Sequence, residues 1–274
     1  MNRRLPDHLV IGAAKAGTTS LSRWLDEHPD VYVPPSKEMH FFDRDSQWQL
    51  GVEWYAANFA DAGDAASVGE ATPAYLFVPE APKRIASVVP DARLIAVLRN
   101  PVDRAYSHFW HAHEWGGEPR TFEAAIDALL AGDQTVRPYL RRGYYLEQLQ
   151  RYEELFPRES MLVLRFDDLA ADPAATFRRV CGFLGVRDVA PPNIGKVYNA
   201  HSRHRSSRLR ARMEGMRAWR RAPVLARALD RLNTDERDYP PMPQPLRQRL
   251  LDHFAERNEA LAQHLGWDLT GWSR

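Results

Sequence analysis

A glycine-bracketed loop near the start of the chain limits most strongly how the chain can fold. The segment HLVIG at residues 8–12 is a short, largely apolar run, and Lys15 lies in the loop that follows it. Gly17 ends the loop, and an amphipathic stretch begins at Thr18. This order is typical of a strand, an anion-binding loop and a helix, because glycines let the backbone approach an anion and a helix start presents unpaired N–H groups. The segment predicts a site for a phosphate-like group.

The loop resembles a Walker A motif but departs from it at the lysine. Gly12 and Gly17 have the separation of the two motif glycines. Thr18 stands at the position of the motif lysine, whereas Lys15 lies inside the loop. The alternative interpretation is a strand-to-helix turn whose glycines serve tight geometry alone. A second anion-binding element is needed to decide between the two.

A candidate for that second element follows another apolar run. Residues 94–98 are LIAVL and lead directly into Arg99, and Pro101 then marks a helix start with Ser107 about two turns further on. In P-loop NTPases the comparable strand usually ends in an Asp that holds Mg²⁺. Arg99 instead suits direct binding of a phosphate through its planar guanidinium, and Ser107 can add a hydroxyl donor if the two converge.

Apolar runs and amphipathic stretches alternate along the chain with short connections. This alternation predicts a three-layer α/β fold with a central, mostly parallel sheet flanked by helices, and a helical C-terminal part. We expect one domain over residues 1–274, with an α/β core at 1–200 and a basic loop and C-terminal helices at 201–274. The predicted strands are 8–12, 31–33, 67–69, 93–98 and 160–164, and the predicted helices are 18–28, 51–59, 82–89, 101–115, 121–130, 143–156, 176–184 and 246–265.

Length and composition exclude several classes of protein. With 274 residues, 44% of them hydrophobic, the chain can bury a substantial core, and its formal charge of +1 implies no polyanionic partner for the chain as a whole. Cys181 is the only cysteine, so no internal disulfide is possible, and its apolar neighbours favour core packing. No apolar run reaches membrane-spanning length, so we expect a cytoplasmic enzyme, and the Ala- and Arg-rich composition suggests a bacterial source.

At four separated places the sequence resembles the sulfotransferases that use 3′-phosphoadenosine 5′-phosphosulfate (PAPS), and among them the branch with the heparan-sulfate sulfotransferases. A chance match to all four in the same order is improbable, although each alone is modest. The resemblance implies the P-loop-like fold of that family. The four pieces are KAGTTSL at 15–21, KEMHFFD at 37–43, EATPAY at 70–75 and LRNPVDRAYS at 98–107.

The resemblance, together with the anion chemistry above, implies two binding regions for PAPS. Arg99 and Ser107 would bind the 3′-phosphate. Tyr144 would approach the cofactor by analogy, and a lid over its phosphates would form from Ser202, Arg203 and Arg205, for which a solvated basic surface is the alternative. The region for the 5′-phosphosulfate comprises Lys15, Ala16, Gly17, Thr18, Thr19 and Ser20.

The reaction implied is in-line transfer of a sulfuryl group to a hydroxyl, with adenosine 3′,5′-bisphosphate (PAP) as the product. Lys15 would stabilise the leaving oxygen without a metal. Glu70 is the first choice for the general base, because it matches the family's catalytic glutamate in EKTPAY. His40 is the competing base, since imidazole titrates near neutrality and the cytosolic branch of the family uses histidine.

The acceptor is expected to be a small molecule, a glycolipid or a carbohydrate. Ala71 replaces the lysine that follows the glutamate in heparan-sulfate enzymes, which indicates an acceptor unlike heparan sulfate. Animal relatives are typically anchored in the Golgi membrane, so we expect an intracellular acceptor for a chain without an anchor. Its identity, a hydroxyl or an amine as the accepting group, and the oligomeric state stay open. Candidate acceptor-binding residues are Lys37, His40, Phe42, Asp43 and Tyr75.

Two other functions compete with this interpretation. A P-loop small-molecule kinase would bind ATP with Mg²⁺, but the displaced Lys15 and the cation at Arg99 argue against it. A nucleic-acid-binding protein could use the arginine-rich segment at 201–231, but it would leave both anion-binding elements unexplained. Duplex affinity with a steep salt dependence would support the second alternative.

Overall fold

Five short strands form the central sheet of the computed structural model, which describes residues 4–36, 38–114, 117–196 and 239–274 and the backbone of 203–204 and 234–235. The strands are β1 His8–Gly12, β2 Val31–Tyr32, β3 Ser67–Ala71, β4 Arg93–Leu98 and β5 Met161–Arg165, and a separate antiparallel pair joins β6 Arg203–His204 to β7 Thr234–Asp235. The helices are α1 Thr18–Asp26, α2 Asp45–Trp48, α3 Gly51–Ala57, α4 Ala81–Val88, α5 Pro101–Glu114, α6 Phe122–Leu130, α7 Tyr145–Glu153, α8 Phe166–Ala171, α9 Pro173–Leu184 and α10 Gln244–Leu265.

The central sheet is parallel throughout, with the strand order β2-β3-β1-β4-β5. Every residue of β1 is buried, and Leu9 pairs with Glu70 of β3 on one side and Leu94 of β4 on the other. Strands β2 and β3 thus lie on one side of β1, and strands β4 and β5 lie on the other. Ligands of such sheets bind at the carboxyl ends of the strands, at the point where successive strands change sides. The predicted α/β fold with a central parallel sheet is confirmed.

The chain divides into two compact units. The first holds the five-stranded sheet and comprises Met1–Asn100, Tyr144–Tyr198 and Ala260–Trp267. The second comprises Pro101–Gly143, Asn199–Glu259 and Asp268–Arg274, and its core includes the packed rings of Phe109, Phe122 and Tyr139. The expectation of a single domain over 1–274 stays a prediction.

Several element boundaries differ from the predicted ones for local reasons. Helix α9 begins at Pro173 rather than at Thr176, because Asp172 caps it: its Oδ1 accepts a hydrogen bond from the Ala175 N–H at 2.9 Å. The predicted strand at 67–69 extends to Ala71, so Glu70 lies inside β3 rather than in the following loop. Cys181 is buried on α9, as predicted. Among the described residues, no helix is both long enough and apolar enough to cross a bilayer.

Candidate active site

The predicted phosphate-binding loop runs from β1 to α1, and the strand, loop and helix are confirmed. Gly17 immediately precedes α1 with φ +85°, and Lys15 also lies in the left-handed region with φ +71°. The first turn of α1 carries no acidic side chain. The amide groups and the positive end of the helix dipole are therefore not neutralised within this turn, which suits an anion. Binding of a 5′-phosphosulfate by residues 15–20 stays a prediction.

Gly17 is required by two independent constraints. Its positive φ favours glycine, and a Cβ at this position would lie 3.0 Å from Cδ2 of Leu169 and 3.1 Å from Cδ2 of Phe166. The loop thus packs directly against the start of α8. A side chain here would move either the loop or the helix that supports it.

We expect Gly17→Ala to weaken PAP binding about tenfold, because a residue with a Cβ in the left-handed region costs about 1–2 kcal/mol and must also displace α8. Titration calorimetry measures the change. Gly132→Ala is the matched control, since Gly132 has φ +89° but no atom within 4 Å of its Cβ position. An equal effect of the two substitutions on PAP affinity would contradict the role given to the loop.

Arg99 follows β4 and lies against the same loop. Its Nη1 donates to the carbonyl oxygen of Lys15 at 3.2 Å, and its Cζ lies 4.7 Å from the centre of the Phe166 ring. Its carbonyl oxygen accepts a hydrogen bond from the Tyr145 hydroxyl at 2.8 Å. The two anion-binding elements that the sequence predicts are thus in contact, although they lie 84 residues apart in the chain.

The remaining predicted cofactor residues fall in different parts of the molecule. Ser107 is buried on α5 in the second unit, and Tyr144 is the residue before α7 in the first unit. Ser202 and Arg205 lie outside the described residues, and only the backbone of Arg203 is described, in β6. The predicted lid therefore stays a prediction.

Glu70 is buried and accepts hydrogen bonds from three hydroxyl groups. Its Oε1 accepts from Tyr75 at 2.6 Å and from Tyr55 at 3.2 Å, and its Oε2 accepts from Thr72 at 2.7 Å. Only 2% of the residue is exposed. Burial raises the pKa of the Glu70 carboxyl, and the charge of Asp43 acts in the same direction, while the three hydroxyl bonds oppose this shift.

His40 belongs to a line of three ionisable side chains on the loop after β2. Its Nδ1 lies 2.9 Å from Oδ2 of Asp43, and its Nε2 lies 3.7 Å from Oε2 of Glu38. Because Asp43 is an acceptor, this contact places the proton on Nδ1 of neutral His40 and leaves a lone pair on Nε2. The side chains of His40 and Glu38 are 16% and 37% exposed. An imidazole held in this way can accept a proton.

Two predicted acceptor-binding residues lie inside the core. Phe42 and Tyr75 are fully buried, with ring centres 5.4 Å apart. Their role in binding an acceptor stays a prediction. The side chain of Asp43 is 6% exposed and pairs with His40. Lys37 lies outside the described residues.

Glu70 contributes to the lining of a small open cleft of about 50 Å³. Arg23 and Asp26 contribute its charged wall and lie 3.6 Å apart, which is within ion-pair distance. Ala71 also lines the cleft and adds no charge to it. The full lining is Thr19, Ser22, Arg23, Asp26, Val33, Pro34, Pro35, Ser36, Glu70 and Ala71.

Sequence reasoning missed two residues of this site. Glu38 lies in the KEMHFFD segment but received no role, although its spacing to His40 and Asp43 was a usable signal. Phe166 supports both Gly17 and Arg99 from a helix, α8, that was not predicted. No local pattern marks Phe166, because its partners are distant in the chain.

Comparisons with known proteins agree with the resemblance. The family model described as "Sulfotransferase domain" matches residues 5–207. Heparan sulfate glucosamine 3-O-sulfotransferase 6 of Homo sapiens is 32% identical over 271 residues, which is 98% of this chain and 74% of that protein. The crystal structure of a sulfotransferase from Alicyclobacillus acidocaldarius has a TM-score of 0.75 at 29% identity, covering 99% of this chain and all of that one.

A more distant structure shares the fold. The crystal structure of mouse sulfotransferase SULT7A1 complexed with PAP has a TM-score of 0.50 at 18% identity, covering 71% of this chain and 63% of that chain. The match to the family model covers more than half of the present chain, and the human relative aligns along almost all of it. This chain therefore belongs to the sulfotransferase family.

Proposed function

We propose that the protein transfers a sulfuryl group from PAPS to an acceptor hydroxyl. The contact between Arg99 and the Lys15 carbonyl supports this most directly, because it joins a guanidinium to the start of α1 at the carboxyl edge of the sheet. The donors present there fit a nucleotide with anionic groups at both ends of its ribose. The human relative is named for 3-O-sulfation, and the mouse structure contains PAP. The kinase alternative is not favoured, since the matched family and relatives are sulfotransferases.

Different residues bind the two ends of the cofactor. When bound, PAPS supplies an activated sulfuryl group on a phosphate leaving group. Lys15 and the first amides of α1 bind the 5′ end, and the lysine places positive charge where the leaving oxygen becomes negative. Arg99 binds the 3′-phosphate, and a contribution of Ser107 stays a prediction. We propose that no metal takes part, so chelation with EDTA should leave the transfer rate unchanged.

We assign the acceptance of the proton from the acceptor hydroxyl to the line of side chains formed by Glu38, His40 and Asp43. Sequence reasoning placed Glu70 first, but its oxygens already accept three hydroxyl hydrogens within the core. His40 presents Nε2, and Asp43 holds the imidazole in the required tautomer. Glu38 lies beside Nε2 and either stabilises the imidazolium or takes the proton itself. Glu70 as the base stays a prediction, and the variants below test it.

Charges around the cleft favour an uncharged acceptor. Besides Lys15 and Arg99, which are assigned to the cofactor, the described charged groups at the cleft and around His40 include the acidic Glu38, Asp43 and Glu70, and Arg23 with Asp26 at ion-pair distance. Ala71 supplies no cation where heparan-sulfate enzymes have one. A carboxylate or sulfate next to the reacting hydroxyl would therefore be repelled. We propose a hydroxyl of a neutral small molecule, glycolipid or carbohydrate, tested by transfer from labelled PAPS to matched sulfated and desulfated acceptors.

We expect His40→Ala to lower kcat by about 10²–10⁴-fold, which is the usual contribution of a general acid or base. PAP affinity should change by less than about twofold, because His40 is not a cofactor ligand in this assignment. Single-turnover sulfuryl transfer and PAP titration provide the two readouts. His111→Ala, at an exposed position of α5, is the control. Glu38→Gln should share the loss if Glu38 takes the proton, and Glu70→Gln alone should show it if Glu70 is the base.

A further inference from the structure

Glu70 is a buried carboxylate that the proton transfer proposed above does not use. Within the described residues its hydrogen-bond partners are three hydroxyls and no cation. Burying an ionised group without an opposite charge lowers stability. Because burial raises its pKa above the ordinary 4.5, the free energy of unfolding falls as the pH rises from 4.5 through the raised value. Above the raised pKa, therefore, Glu70 is ionised in the folded protein although its charge lowers the free energy of unfolding.

Two of the three hydroxyls connect Glu70 to the backbone of the loop that carries His40. The Tyr75 hydroxyl donates to Glu70 and accepts from the Phe41 N–H at 3.1 Å. The Thr72 hydroxyl donates to Glu70 and accepts from the His40 N–H at 3.4 Å. The Tyr55 hydroxyl donates to Glu70, and no N–H from the described residues of this loop bonds to it. Two parallel relays therefore run from one carboxylate to consecutive amides.

The ionised state of Glu70 fixes the direction of both relays. A carboxylate can only accept hydrogen bonds, so both hydroxyls must donate towards it and present lone pairs to the loop amides. A glutamine at the same place presents an N–H₂ group on one side, which allows a hydroxyl to reverse. The reversed hydroxyl would point its hydrogen at the amide N–H. The loop would then lose an acceptor in a buried position.

The loop needs such support, because its backbone is unusual. His40 and Glu38 have φ values of +55° and +57°, in a region that residues with a Cβ seldom occupy. Such conformations persist only where the surroundings over-determine them. We infer that Glu70 is a positioning residue that holds Glu38, His40 and Asp43 in their reactive line through Tyr75 and Thr72. This inference rests on the proposed sulfuryl transfer and gives Glu70 a role different from that of base.

Two tyrosine variants separate positioning from packing. Tyr75→Phe removes a hydroxyl that bonds to Glu70 and to the Phe41 amide, whereas Tyr55→Phe removes one that donates to Glu70 only. We expect Tyr75→Phe to lower kcat about tenfold, in line with the cost of leaving a buried N–H unsatisfied. Hydrogen exchange at the Phe41 amide should accelerate and the NMR titration of the His40 imidazole should shift. Tyr55→Phe should have a smaller effect on all three, and PAP affinity should stay within about twofold.

Glu70→Gln should reproduce the Tyr75→Phe changes, and the double variant should be no worse than either alone. Glu118→Gln controls for loss of a buried carboxylate, since Glu118 accepts from Tyr139 within the second unit. It should change the unfolding temperature without moving the His40 titration. The inference is overturned if Glu70→Gln abolishes transfer at every pH while Tyr75→Phe matches Tyr55→Phe, or if exchange and titration are unchanged. Exchange and titration need no turnover, so they remain informative even if the wild type transfers no sulfuryl group.

Discussion

Lys15→Ala is expected to lower single-turnover sulfuryl transfer by roughly 10²–10³-fold, the usual loss when a group that stabilises developing negative charge is removed. The fold should be unaffected, because lysine and alanine both carry a Cβ and have a similar conformational cost at φ +71°. PAP affinity should fall much less than the rate, since the leaving oxygen is most negative in the transition state.

Stopped-time assays with excess enzyme isolate the chemical step for this variant. Lys83→Ala, at an exposed position of α4, provides the control for removing a surface lysine and should transfer at the wild-type rate. If Lys15→Ala kept a near-normal single-turnover rate, the role assigned to Lys15 would be refuted. A loss confined to PAP affinity would instead make Lys15 a binding residue only.

Arg99→Ala is expected to weaken PAP binding about ten- to a hundredfold, because a hydrogen bond to a charged group contributes about 1.5–3 kcal/mol and each 1.4 kcal/mol is tenfold. The loss should depend on the 3′-phosphate. Adenosine 5′-phosphate, which lacks that group, should bind the variant and the wild type almost equally. Arg99→Lys should be intermediate, since lysine keeps the charge but loses the planar fork and the stacking on Phe166.

The control for Arg99→Ala is Arg178→Ala, because Arg178 lies exposed on α9 and pairs with Asp188. Its effect on either nucleotide should be negligible. Equal losses for PAP and adenosine 5′-phosphate in the Arg99 variant would show that Arg99 shapes the loop through Lys15 without reading the 3′-phosphate. Unchanged PAP affinity would remove the second anion-binding element from the account.

Local patterns sufficed to predict the elements at the carboxyl edge of the sheet, where we propose that the cofactor binds. The apolar residues 94–98 and Arg99 directly after them predicted β4 and the cation at its end, and both are confirmed. Gly17 predicted a loop closing into a helix, and its φ of +85° and the start of α1 confirm that geometry. These features depend on neighbours within a few residues, so the sequence displays them directly.

The arrangement around Glu70 and His40 could not be predicted from local patterns, because its contacts join residues that are distant in the chain. The three hydroxyls around Glu70 come from Tyr55, Thr72 and Tyr75, and two of them reach back to amides of the loop at 40–41. The sequence therefore placed Glu70 in a loop beside the predicted anion site, whereas the fold buries it in β3. Phe166 reaches Arg99 across 67 positions, and no sequence period encodes that distance.

Calorimetric titration of the wild-type protein with PAP in the presence of EDTA tests most directly whether Arg99 and the Lys15 loop together bind a nucleotide charged at both ends of its ribose. We predict micromolar or tighter binding of PAP, at least about tenfold weaker binding of adenosine 5′-phosphate, and no gain for ATP when Mg²⁺ is added. Tight, Mg²⁺-dependent binding of ATP together with absent binding of PAP would contradict this account.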